Sequence, residues 1–192
     1  QFLDIEKDTL LYLFFDDNQN IYKAGENLPI AEFLSKQGGE NIFKLKINLR
    51  NTKEIHQFAL KETQIGTDSV SPFDESGINV EKKKFRPNEL NEIEEWLNKK
   101  LNSLILNQKI MNHSVCILSN LTLKKLFPDD FFKNRHWKIS ESEPDCRQQR
   151  SHVLFQTIHK IKGLEYDHVI LILKENKYLT PELKYVGMTR AK

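Results

Sequence analysis

Five runs of the chain are apolar almost without interruption: TLLYLFF (Thr9–Phe15), IFKLKI (Ile42–Ile47), SVCILS (Ser114–Ser119), HVLFQT (His152–Thr157) and HVILIL (His168–Leu173). A strand with one wet face alternates apolar and polar residues, whereas a strand covered on both faces does not. These runs therefore predict a mostly parallel sheet buried between helices. Helical spacing fills the intervals, over Thr52–Lys61, Asn88–Leu106 and from Thr180 onward. The middle segment sets Leu90, Ile93, Leu97, Leu101 and Leu104 on one stripe, which predicts a helix laid across the sheet. Strands alternating with helices give an α/β architecture.

Turn-forming residues punctuate this pattern. TQIGTDSVSPFDESG (Thr63–Gly77) and SESEPDCRQQRS (Ser140–Ser151) lack apolar periodicity and are expected to be loops. EKKKFR (Glu81–Arg86) is expected to be a solvated edge strand guarded by lysines. The last helix has a full start signal, with Thr180 as N-cap, Pro181 in the first helical position and Glu182 set against the helix dipole.

Composition changes this picture little. The 192 residues, 39% of them hydrophobic, suffice for one domain with a real core and a fragment of another. A formal charge of +2 is too small to announce nucleic-acid binding, so any such binding must be local. No membrane partner is expected, because no apolar run is long enough to span a bilayer, and the start QFLDIEKDTL lacks the order of a signal peptide. A cytoplasmic location is the expectation. Cys116 and Cys146 have no metal-ligand spacing and the six histidines form no ligand pattern, so no metal site is expected. Cys116, inside SVCILS, reads as a buried reduced thiol.

Four segments, in order, resemble motifs III to VI of the UvrD/Rep group of superfamily 1 DNA helicases: FFDDNQNIY, INLRNTKEIHQFA, TIHKIKGLEYDHVIL and YVGMTRAK. The resemblance implies a RecA-like, P-loop NTPase-type fold. Residues 1–40 would be the tail of a first RecA-like domain, ending in its last strand and motif III. Residues 41–192 would be the second RecA-like domain, truncated at its C-terminal end. The Walker A and Walker B motifs precede motif III in such helicases, and no GxxxxGK[ST] occurs in this sequence. The cradle for ATP and Mg²⁺ would then belong to the missing first domain, and neither should bind tightly to this chain alone.

The resemblance also assigns roles. Gln19 would read the γ-phosphate and its attacking water, and Arg50 and Arg190 would set positive charge on the transferring phosphoryl group. Gly163 would permit a tight backbone and Glu165 would accept from the nucleotide ribose. Thr157, His159 and Lys162 would touch single-stranded DNA or couple it to the nucleotide, and Tyr22 would stack on a base. Each has an ordinary counterpart: a polar turn residue for Gln19, a locally bonded histidine for His159, an apolar anchor for Tyr22.

Three departures shape the reading. Leu49 stands where relatives commonly carry an aromatic against adenine, and no tryptophan follows Tyr22. Between Arg50 and Thr157 the expected elements leave no room for an inserted domain, which points to the compact helicase type. Two functions follow: a motor-domain fragment of an ATP-dependent DNA helicase or translocase, or an ATP-independent module that binds nucleic acid or protein. The expected partners are single-stranded DNA and the first RecA-like domain. Self-association through the strand Thr9–Phe15 is a further expectation, since an apolar strand without cover pairs with an available edge.

Overall fold

The computed structural model describes residues 46–70, 77–86, 89–161 and 163–192. Gln19, Tyr22, Lys162, the run Thr9–Phe15, most of IFKLKI and the expected division after residue 40 lie outside the described residues.

Among the described residues four strands form one sheet: β1 (Val115–Ser119), β2 (Lys138–Ser140), β3 (His152–Thr157) and β4 (His168–Ile172). Their order is β2-β3-β1-β4 and every pairing is parallel. With helices on its faces this is an α/β fold of the RecA-like kind. β1 lies in the interior and is buried along its whole length, which is why SVCILS shows no alternation.

The pleat sorts the strand residues into two cores. Val115, Ile117, Val153, Phe155 and Ile170 face one side, where Leu97, Leu101, Phe132 and Trp137 cover them. Cys116, Leu118 and Leu154 face the other, against Cys146, Ile158, Ile161, Leu183 and Val186. The first cover comes from α2 (Leu90–Leu101), whose Leu97 and Leu101 are fully buried as the stripe requires. The helix does not run regularly to Leu106: residues Asn102–Asn107 widen into a π-helix. At that junction Asn102 Oδ1 accepts from Trp137 Nε1 at 2.8 Å, answering the polar atom of a core tryptophan.

The second cover comes from α4 (Glu143–Gln148) and α5 (Pro181–Met188). In α5 the Thr180 hydroxyl accepts from Leu183 N at 3.2 Å and Pro181 opens the helix, as its sequence signals predict. α1 (Lys53–Thr63) packs against α5, and the short α3 (Leu123–Leu126) follows β1.

Four expectations need correction. SESEPDCRQQRS is not all loop, because Ser142, Glu143 and Pro144 start α4, whose Cys146 enters the core. EKKKFR is not a strand; it is an exposed irregular segment held by ion pairs, Lys82 to Glu62 at 2.5 Å and Glu81 to Lys100. The described end of IFKLKI is no sheet strand either: Ile47 makes one parallel bridge to Val70 and is 57% exposed. Finally, Leu90 and Ile93 are half-buried, so the core-facing part of the α2 stripe starts at Leu97.

Candidate nucleotide-facing site

Three segments of the chain meet through the backbone bonds and ion pairs around Glu165 and Tyr166, just before β4. The first is the turn Asn48–Asn51 before α1. Asn48 Oδ1 accepts from the backbone N–H groups of Arg50 and Asn51, at 3.0 and 3.2 Å, and so shapes the turn that carries Arg50. Those bonds fix the amide orientation, so Asn48 Nδ2 donates to His56 Nδ1 at 2.9 Å. The His56 proton then sits on Nε2, 3.3 Å from Ser69 O.

The second segment leaves β3 at Thr157. Ile158 N donates to Ser119 O at 2.9 Å, and the chain then turns, with Lys160 N donating to Thr157 O at 3.0 Å. Gly163 has φ +91°, a left-handed value that a side chain disfavours, and this is the conformational need expected of it. Beyond it come Glu165 and Tyr166.

The third segment is the end of α5. Gly187 lets the helix approach the sheet, because a Cβ there would stand 3.0 Å from both Ile158 and Leu171. The chain then straightens and pairs with the second segment. Tyr166 N donates to Arg190 O at 3.0 Å and Lys192 N donates to Tyr166 O at 3.1 Å, one parallel bridge between Tyr166 and Ala191.

These pairings collect charge at one point. Arg50 Nε is ion-paired with Glu165 Oε1, and Lys192 Nζ lies 3.8 Å from Glu165 Oε2. Arg50 and Glu165 are 40% and 28% exposed, so the cluster opens to solvent. Arg190 is different: it is fully buried, its Nε donating to Val186 O at 3.1 Å and its Nη1 to Leu164 O at 3.5 Å. Of the two expected phosphate-facing arginines, one is presented at the surface and the other is packed inward. Thr157, at the end of β3, and His159, on the turn after it, are half-buried, and Leu49 is 72% exposed next to Arg50.

Sequence reasoning missed the residues that join the segments. Asn51 is 1% exposed and sends both amide protons to α5's end, to Thr189 O at 3.2 Å and Ala191 O at 2.6 Å. Lys192 was equally unmarked. Among the described residues no group of three or more His, Cys, Asp or Glu is placed to hold a metal ion. No helix among them is long and apolar enough to cross a membrane.

Residues 152–192 match the family described as the UvrD-like helicase C-terminal domain. That stretch runs from β3 through α5 and holds the segments recognised above as motifs V and VI. This stretch of 41 residues is similar to the C-terminal domain of UvrD-like helicases, which supports the UvrD/Rep-type resemblance. No curated protein matches the chain.

Proposed function

We propose that the chain supplies the second RecA-like half of an ATP-dependent DNA helicase or translocase. The observation that carries this reading is the convergence of Arg50, Glu165 and the α5 terminus on one open cluster, although they come from three distant parts of the sequence. A guanidinium beside a carboxylate suits a nucleotide bound across a domain boundary. The arginine answers phosphate charge and the carboxylate accepts from ribose hydroxyls.

In this reading ATP and Mg²⁺ are held by the first RecA-like domain, whose P-loop and acidic residue this chain does not supply. ATP carries the leaving group and the energy of the cycle. Arg50 stabilises charge on the transferring phosphoryl oxygens, and Glu165 exchanges its ion pair for the ribose. Arg190 supports motif VI from within and reaches phosphate only if its guanidinium turns out past Leu164. Thr157, at the end of β3, and His159, on the turn after it, face the strand path, with Lys162 and Tyr22 assigned to the same track and Gln19 to the attacking water.

The test is DNA-stimulated ATP hydrolysis by the full-length gene product, with Arg50→Ala beside it. Turnover stimulated by single-stranded DNA and lost in Arg50→Ala is the expected result. Single-strand binding without turnover would instead identify an ATP-independent binding module.

A further inference from the structure

The proposed chemistry needs two arginine-bearing segments at a fixed separation, and one side chain touches both. Asn51 follows Arg50 directly in the chain, and its Nδ2 bonds the carbonyls of Thr189 and Ala191, the two neighbours of Arg190. Its Oδ1 accepts from Asn48 Nδ2 at 3.2 Å, and Asn48 Oδ1 in turn accepts from Arg50 N. Both amide protons and the carbonyl of a buried side chain are thus committed. No residue with only donors or only acceptors could replace it.

We propose that Asn51 is a positioning residue that sets Arg50 against the Arg190 segment for phosphoryl transfer, acting through Asn48 on one side and through the carbonyls of Thr189 and Ala191 on the other. This rests on the function proposed above. Further ties run through Glu165 and Tyr166, which belong to the segment between β3 and β4, and through the packing of α1 on α5. Asn51 bonds the Arg190 segment directly from the Arg50 turn. A displacement of about 1 Å at reacting groups lowers rate by roughly 100-fold, so a strut of this kind acts on kcat. Nucleotide affinity resides largely in the other domain and changes little.

Asn51→Asp keeps the shape but aims carboxylate oxygens at two carbonyl oxygens, so it repels where Asn51 attracts. Asn51→Ala removes the strut without repulsion. In the full-length gene product, kcat for DNA-stimulated ATP hydrolysis should fall in the order wild type, Asn51→Ala, Asn51→Asp, by about 100-fold in the last. KM for ATP should stay within about threefold. Amide exchange in the same protein should accelerate at Tyr166 and Lys192, whose bonds depend on the α5 terminus, and stay slow along β1. A kcat loss that disappears once corrected for the folded fraction at low temperature would show an ordinary structural bond and overturn the proposal. An unchanged kcat in Asn51→Asp would do the same. If the wild-type protein hydrolyses no ATP, the proposed function fails and the catalytic role falls with it. The exchange rates at Tyr166 and Lys192 then decide alone whether Asn51 is a strut, unchanged rates refuting it.

Discussion

Arg50 and Glu165 form an ion pair between the turn that precedes α1 and the turn that follows β3. Both are partly exposed, and pairs in such surroundings contribute only about 0.2–1 kcal/mol to stability. Arg50→Ala should therefore leave the urea midpoint of the chain nearly unchanged. In the full-length protein the same change should cost roughly 10³ to 10⁵ in turnover, the range expected of an inserted arginine. Paired chemical denaturation and single-turnover ATPase measurements separate the two effects, and a large fall in midpoint would contradict this account.

Arg190 should behave in the opposite way. It is fully buried and donates to two backbone carbonyls, so Arg190→Ala leaves a cavity and unanswered acceptors. The expected loss is about 2–4 kcal/mol. Arg190→Lys retains the charge but not the planar fork, and should fall between. Denaturant midpoints in the order wild type, lysine, alanine would bear this out. Equal midpoints would mean that the guanidinium spends its time outside the core.

Much of the fold was legible in the sequence because burial on both faces leaves a plain signature. SVCILS, HVLFQT and HVILIL became β1, β3 and β4 within a residue or so. β2 escaped because it has three residues on the sheet edge, too few for a pattern. α4 escaped because Glu, Pro and Asp suggest a loop, although Ser142 followed by a proline in the first turn is also a helix start. The resemblance singles out Arg50, Glu165 and Gly163 as candidates because each sits in a recognisable motif. Asn51 could not be read in that way. Its partners lie 138 and 140 residues away, and local spacing carries no trace of them.

The two glycines near the site should respond differently to substitution. Gly163 has open space around its Cα but a φ of +91°, so Gly163→Ala is strained by conformation alone, by roughly 1–2 kcal/mol. Gly187 has ordinary helical geometry but little room. In Gly187→Ala the gain in helix propensity, about 1 kcal/mol, offsets part of the crowding against Ile158 and Leu171. Gly187→Val adds two methyl groups to the same contact and should lower thermal stability clearly. Melting curves in which Gly187→Val matches wild type would show that α5 is free to lift from the sheet.

The second core should also make stability fall at alkaline pH. Burial pushes the Cys146 thiol up from 9.0 to about 11, with the Asp145 carboxylate adding to the effect, and raises the Tyr166 hydroxyl from 10.0 to about 12. Burial lifts Cys116 well above the usual thiol range, and the neighbouring Cys146 adds to it. The folded state therefore holds these protons more tightly than the unfolded chain does. Below pH 9 both states are protonated and the full stability is present. Above it the unfolded chain releases thiol protons first, so stability declines through the window from about pH 9 toward 11, at up to about 1.4 kcal/mol per pH unit for each group. Urea midpoints measured at pH 8, 9 and 10 should drop more steeply for wild type than for a Cys116→Ala/Cys146→Ala variant. That variant starts lower, because it has lost packing, so the slope and not the offset is the reading. Parallel slopes would mean that the thiols ionise as readily in the folded protein as in the unfolded one, and that the α4 side of the sheet admits water.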